Sequence, residues 1–242
     1  MDAAVGLDTS TTTLGAGVTL VTAAHGTRHA PGNEVARQLT TLAGDLLGAP
    51  SRAAYVELCD PLLVDVMDEL TAPAVVVPLL LSTGFHMRTD LPEALRRARV
   101  PVALAPSLGP DPLLARTQVA RMVAAGAQAG QPVLLVAAGS RDPAAVADLE
   151  LARDHLADEW DGPVRLAALA GDLPRPAEVV RPGDAVSPYL LAEGFFATKV
   201  REECAEAAVV AEVLGPHPLL ADLVARRATA AAVSVRHPGV TG

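Results

Sequence analysis

The feature that most constrains this chain is that it repeats itself. Leu108-Gly109-Pro110-Asp111-Pro112-Leu113-Leu114-Ala115 returns as Leu214-Gly215-Pro216-His217-Pro218-Leu219-Leu220-Ala221, with one mismatch. Val77-Pro78-Leu79-Leu80-Leu81, with Gly84-Phe85 just beyond, returns as Ser187-Pro188-Tyr189-Leu190-Leu191 with Gly194-Phe195, and Gly26-Thr27-Arg28 returns as Gly139-Ser140-Arg141. The offsets run 113, 110 and 106 residues from first segment to last, so the copies are collinear with small deletions. That is the signature of a duplicated supersecondary unit.

Each copy alternates short apolar runs with helical patterns, which predicts α/β architecture with parallel sheets. In the first copy, residues 18–21 read as a strand that stops at His25-Gly26, followed by a helix whose inner face holds Val35, Ala36 and Leu39. Residues 52–58 form a second strand, and Asp60-Pro61 caps a helix running to about residue 70. Residues 73–81 form a third strand, apolar enough to be covered on both faces. A helix from Thr89-Asp90 to about residue 99, a strand over 100–105 and a helix over 113–125 with Asp111 as N-cap complete the copy. The chain then divides into a disordered tail (1–17), an N-terminal half (18–128), a C-terminal half (131–230) and a second tail (231–242). The halves should face each other about a pseudo-twofold axis, leaving a cleft between them.

Composition narrows the partners. Half of the residues are hydrophobic but only 2% aromatic, so the core is built from Ala, Val and Leu. A net charge of −9 argues against nucleic acid. Cys59 and Cys204 lack any CxxC or closely spaced framework, which fits a reduced, cytoplasmic setting. The apolar runs are too short to span a bilayer, and residues 1–17 lack the pattern of a signal peptide, so no membrane partner is expected.

The duplication also shows which polar groups the fold does not need. His25 aligns with Ala138, His86 aligns with Phe196, and Glu57 falls opposite an apolar stretch near Ala168. All three belong to the carboxyl ends of strands in one sheet, the edge at which open α/β sheets bind ligands. Two imidazoles and a carboxylate suit a first-row divalent ion and leave coordination positions open. A neutral imidazole can also accept a proton near neutrality. Arg28, Arg88 and Arg141 flank the same edges and can pair with carboxylates of an acidic ligand. The amides of Gly26-Thr27 and Gly139-Ser140 are alternative anion donors. His29, His155, His217 and His237 read as structural or solvated, and Cys59, on the strand face of Glu57, as an ordinary free thiol.

The order AAHGTR (23–28), VELCDP (56–61), VVVPLLLSTGFHMRTDLP (75–92) and LGPDPLL (108–114) resembles the class II chelatases that insert iron or cobalt into sirohydrochlorin. The likeness covers the chain beyond its N-terminal tail and is to the long, internally duplicated members. It implies two flavodoxin-like, three-layer halves with the tetrapyrrole in the cleft, in a monomer with pseudo-twofold symmetry. It also implies His25 and His86 as catalytic metal ligands with Glu57 as a third. Thr27, Arg28, Ser82, Gly84, Phe85, Arg88, Ser140 and Arg141 are the implied contacts to sirohydrochlorin. No tightly bound cofactor is implied, because Fe²⁺ or Co²⁺ is itself a substrate; iron insertion gives sirohaem, and cobalt insertion serves anaerobic cobalamin synthesis. A non-catalytic carrier of metal or tetrapyrrole is the competing class. A phosphohistidine-type phosphatase fits poorly, since that chemistry needs an Arg-His-Gly order and here the arginine follows.

Overall fold

The structure, a computed structural model, describes residues 13–84 and 89–236. In its first half, β1 (Thr19–Ala24), β2 (Ser51–Tyr55), β3 (Ala74–Pro78) and β4 (Val102–Leu104) alternate with α1 (Ala30–Leu47), α2 (Leu63–Glu69), α3 (Asp90–Leu95) and α4 (Pro112–Ala124). The second half repeats the plan with β5 (Val133–Ala137), β6 (Val164–Ala168), β7 (Ala185–Tyr189) and β8 (Val209–Val210), and with α5 (Pro143–Glu159), α6 (Pro176–Val179), α7 (Phe195–Glu203) and α8 (Pro218–Arg236). The sheets are ordered β2-β1-β3-β4 and β6-β5-β7-β8, and every pairing is parallel. The two α/β units read from the repeat are therefore present, with identical topology.

The central strands are apolar almost throughout because helices cover both faces. Alternation along β1 sends Leu20 into one core and Val21 into another. Two polar side chains buried in these strands are each satisfied: Thr22 on β1 by Thr40 Oγ1 at 2.5 Å, and Ser187 on β7 by Gln118 Nε2, which donates to it at 2.8 Å.

The halves share their largest core, which runs from Leu20, Leu39 and Val75 to Val133, Leu135 and Leu223. An exchange of helices creates it. α8, the last element of the second half, packs on β3, β4 and α1, whereas α4, the last of the first half, packs on β7 and α5. Two arginines lock the exchange. Arg121 on α4 donates to Leu214 O at 2.9 Å through Nη2 and at 3.1 Å through Nε. Arg227 on α8 donates to Ser107 O at 3.2 Å and pairs with Asp111 Oδ2 at 3.0 Å. The two arginines are separated by the 106 residues that separate the LGP segments, so each secures the repeat-equivalent loop of the other half.

Several boundaries differ from the sequence reading. The core begins before Val18, with Leu14 fully buried, and α8 continues through Arg236, burying Ala232 on the way. α2 starts at Leu63 rather than after Asp60-Pro61, because Pro61 O accepts the Tyr55 amide at 3.0 Å and ties that segment to β2. β2 stops at Tyr55, β3 at Pro78 and α3 at Leu95, each earlier than the apolar pattern suggested, and β4 is confined to Val102–Leu104.

The two LGP segments cap their helices differently. Asp111 Oδ1 accepts the Leu113 amide at 2.9 Å, and His217 Nδ1 accepts the Leu219 amide at 3.2 Å. Only an unprotonated Nδ1 can accept, and burial, helped by the nearby Arg121 charge, lowers the pKa of His217 below its ordinary value. A depressed folded pKa means that this contribution to stability is complete above the unfolded value, about 6.5, and is lost as pH falls through the folded one. In thermal unfolding followed from pH 8 downward, wild type should therefore lose Tm below about pH 6.5 relative to His217→Asn, which caps without titrating. Parallel pH profiles of the two proteins would remove the histidine from this role.

Candidate active site

Two of the three singled-out polar residues meet where β1 and β2 end. The parallel ladder continues one step beyond its last paired residues, Ala24 and Tyr55: the Val56 amide donates to Ala24 O at 2.8 Å and the Glu57 amide to His25 O at 3.1 Å. That step holds the two backbones side by side, and the side chains approach with Nε2 to Oε1 at 3.3 Å. They remain 46% and 52% exposed, so solvent and a ligand can reach both. His86, with its neighbours Phe85 and Arg88, lies outside the described residues.

Gly26 makes the approach possible. Its φ is +94°, and a Cβ there would lie 1.9 Å from Glu57 O. A side chain would thus both strain the backbone and push Glu57 away. The second half has the same device: Gly139 has φ +92°, and its Cβ would lie 1.9 Å from Ala170 O. The counterpart of Glu57 is therefore Ala170, within the apolar stretch near Ala168 read from the sequence, because β2 and β6 are matched at Tyr55 and Ala168.

The loop after His25 is stapled to α1 by Asn33, a residue that sequence reasoning passed over. Its Oδ1 accepts the Thr27 amide at 3.0 Å, its Nδ2 donates to Thr27 O at 2.7 Å, and its own carbonyl accepts the Tyr55 hydroxyl at 2.9 Å. The Thr27 amide is thus occupied, which removes it as an anion donor. Thr27 Oγ1 accepts the His29 amide at 3.1 Å, and Ser140 Oγ accepts the Asp142 amide at 3.0 Å. These hydroxyls shape their loops. Arg28 and Arg141 are exposed beside them, and Ser82 and Gly84 are half-buried on the segment after β3.

Phe196, the repeat partner of His86, is not a core residue. It is 43% exposed at the start of α7 and meets Phe195, 70% exposed, edge-to-face with centroids 5.5 Å apart. Trp160, Tyr55 and Tyr189 are all buried, so the exposed aromatic surface among the described residues is this pair. Cys59 is half-buried beyond the end of β2, with Sγ 3.3 Å from Asp60 O, and Cys204 is buried, its thiol pushed up to about 11 by desolvation. His29 is exposed, His155 is half-buried on α5, and His237 lies outside the described residues. No group of three or more His, Cys, Asp or Glu side chains forms a metal cage among the described residues. What they contain is a pair.

The spacing of that pair is informative. Two donors bound at about 2.1 Å to one tetrahedral ion stand about 3.4 Å apart. His25 Nε2 and Glu57 Oε1 stand 3.3 Å apart. The two side chains form an exposed pair, one nitrogen and one oxygen donor in ion-pair contact at the sheet edge.

A family profile described as CbiX matches residues 19–125 and again 132–231, the two halves in turn. The chain belongs to the CbiX family. Among solved structures, this CbiX-family protein is similar to SirB from Bacillus subtilis with Fe3+, at 22% identity over 90% of this chain and 97% of that one, with a TM-score of 0.76. It is similar to SirB from Bacillus subtilis subspecies spizizenii in complex with cobalt, at 21% identity over 90% and 96%, with a TM-score of 0.70. CbiX, described as the terminal enzyme for biosynthesis of siroheme in denitrifying bacteria, matches at 20% identity over 88% and 98%, with a TM-score of 0.64. These likenesses bear out the fold. No curated protein sequence matches the chain.

The duplicated glycines provide a matched test in this CbiX-family protein. Gly26→Ala and Gly139→Ala should each destabilise the fold by on the order of 2 kcal/mol, since both create the same strained contact. Only Gly26→Ala should also weaken divalent-metal binding, by tenfold or more as Glu57 shifts. Denaturant unfolding and Co²⁺ titration of both variants check this, and an equal effect on metal binding would refute it.

Proposed function

We propose that this protein inserts a divalent metal, Fe²⁺ foremost, into sirohydrochlorin to give sirohaem. The observation that carries this reading is the convergence of His25 and Glu57 at the carboxyl edge of the first sheet, at the separation of two ligands on one ion, in a chain of the CbiX family. His86, three residues beyond Thr83, is assigned as the third ligand and second base through the family resemblance.

Insertion replaces two pyrrole N–H bonds by metal–nitrogen bonds and releases two protons, while the ion trades protein and water ligands for ring nitrogens. The site must hold M²⁺ with positions open and offer a nearby base. Exposed His25 and Glu57 answer both needs: they can hold the ion through nitrogen and oxygen, then take up pyrrole protons as it leaves and pass them to solvent. Ligation requires an unprotonated imidazole, so metal binding weakens at low pH. Arg28 and Arg141, equivalent positions on the two halves, are assigned to the substrate carboxylates, and the Phe195–Phe196 pair offers an apolar surface to a flat ring system.

Cobalt is the second reading for the metal. It rests on the same donors, because Fe²⁺ and Co²⁺ are neighbours in ligand preference, and related SirB structures carry iron in one case and cobalt in another. We place the protein in the cytoplasm, in keeping with its two unpaired cysteines, and read it as a monomer because the duplication supplies both halves in one chain; no helix among the described residues is long and apolar enough to cross a membrane.

Steady-state insertion into sirohydrochlorin, assayed with Fe²⁺ and Co²⁺ separately under anaerobic conditions, tests the proposal. Wild type should turn over many times. His25→Ala should lower kcat/KM by at least a hundredfold with an unchanged fold, since Ala138 shows that the scaffold accepts alanine there, and Glu57→Gln should lower it about tenfold. Stoichiometric uptake without turnover would make the protein a carrier, and normal turnover by His25→Ala would end the assignment.

A further inference from the structure

One residue beside the donor pair holds a backbone conformation that its type disfavours. Leu58 follows Glu57 with φ +65°, and it is the only non-glycine residue at positive φ among the described residues. It is the centre of a three-residue turn, closed by the Cys59 amide, which donates to Glu57 O at 2.9 Å. A γ-turn with positive central φ is the rare, strained kind, because it crowds Cβ against the backbone. Such a residue persists only where its surroundings over-determine it, and such residues gather at functional sites. Here the neighbours hold it: the Glu57 amide donates to His25 O at 3.1 Å, and Glu57 O is the carbonyl that Gly26 approaches without a Cβ.

The duplication shows the same turn without the side chain. With β2 and β6 matched at Tyr55 and Ala168, Leu58 corresponds to Gly171, whose φ is +85°. Both halves turn the same way, and the second meets the turn with glycine, the residue that adopts it without strain. Its loop has also closed over the spot: Gly171 forms a bridge with Ser140, and a Cβ would lie 2.2 Å from Ser140 O. The first half keeps a large side chain at the strained position. That side chain does not serve to fill the core, since Leu58 is 47% exposed. Neither backbone preference nor burial accounts for the leucine, whereas a contact with something outside the folded chain does.

We propose that Leu58 is a substrate-contact residue, whose exposed side chain packs against one face of the tetrapyrrole and holds it over His25 and Glu57. The inference rests on the reading of the protein as a sirohydrochlorin chelatase. For an ion to pass from Nε2 and Oε1 to ring nitrogens, the centre of the macrocycle must come within a metal–nitrogen bond, about 2 Å, of an ion held by that pair. Residue 58 is one Cα step, about 3.8 Å, from Glu57, so a ring system placed there reaches over it. The faces of a tetrapyrrole are apolar, and covering an exposed leucine with one removes both surfaces from water. The main-chain bonds on either side of the turn fix where that leucine stands.

The test uses the full chain and the variants Leu58→Ala, Leu58→Gly and Leu58→Met. Binding of sirohydrochlorin without metal, binding of Co²⁺ without tetrapyrrole, steady-state KM and kcat, and Tm are measured for each. Leu58→Ala and Leu58→Gly should weaken sirohydrochlorin binding and raise its KM about tenfold, the effect of withdrawing the exposed part of a leucine from an apolar contact. Leu58→Met keeps an apolar side chain of similar volume and should stay within about threefold of wild type. Co²⁺ affinity should stay within about threefold in all three variants, because main-chain bonds hold Glu57 in place. Leu58→Gly should melt above Leu58→Ala, since only glycine relieves the positive φ, and the reverse order overturns the strain on which the inference stands. Wild-type sirohydrochlorin affinity in both Leu58→Ala and Leu58→Gly overturns the proposal. So does a loss of Co²⁺ affinity as large as the loss of sirohydrochlorin affinity, which would make the residue a support for Glu57 alone. Failure of the wild type itself to bind sirohydrochlorin would instead refute the chelatase reading, and the inference with it.

Discussion

The structure depends on the exchange of α4 and α8. Each is the last helix of one half and a cover for the other half's sheet. Removing α8 would strip β3 and β4 of their inner cover and expose Val75 and Val77, so the first sheet has no complete hydrophobic seal of its own. Arg121 and Arg227 add direction to this non-directional burial. Each guanidinium fastens the carbonyls of the loop preceding the opposite helix, satisfying groups that would otherwise sit unpaired at a half-buried helix entry. Because the exchange is reciprocal, the two halves are held in one relation, and the loops that follow β3 and β7 are brought against α5 and α1.

Once the scaffold exists twice in one chain, only one copy needs to carry chemistry. Gly26 and Gly139 retain the same positive φ and the same close approach to a carbonyl. Beside the first stand His25 and Glu57, and beside the second stand Ala138 and Ala170. The backbone device that pairs the two strand ends is common property, and the side chains are not. The reverse asymmetry holds for Asp148, the acceptor for Thr83, which is charged where the first half has Val35. The copies share a backbone plan and differ in the polar side chains set on it, His25 and Glu57 in the first half and Asp148 in the second.

Much of this was legible in the residues. The collinear repeats implied two equal α/β units, and comparing the copies isolated His25 and Glu57 without any structure. Where the reading slipped, the cause was local backbone pairing that apolar pattern does not encode. The segment at Pro61 bonds back to Tyr55, which delays α2. The helix exchange had a sequence signal, since Arg121 and Arg227 keep the 106-residue offset of the LGP segments. Equal residues at equal offsets say that a role is shared but not which half receives it. The Thr83–Asp148 contact had no signal, because it joins residues 65 positions apart and occurs in one direction only.

An ion destined for transfer sets a different requirement from a structural one. In the proposed reaction a closed cage of four side chains would compete with the macrocycle for the metal, whereas an open pair of donors can surrender it. The backbones of His25 and Glu57 are held side by side by main-chain bonds at the rim of a sheet, which brings their side chains to 3.3 Å. The segment carrying Thr83 is instead held by side chains of the opposite half, through Tyr189 and Asp148. Its position therefore depends on how the halves sit against each other. Backbone pairing within one sheet and side-chain contacts from the opposite half thus fix neighbouring segments at different levels of the same fold.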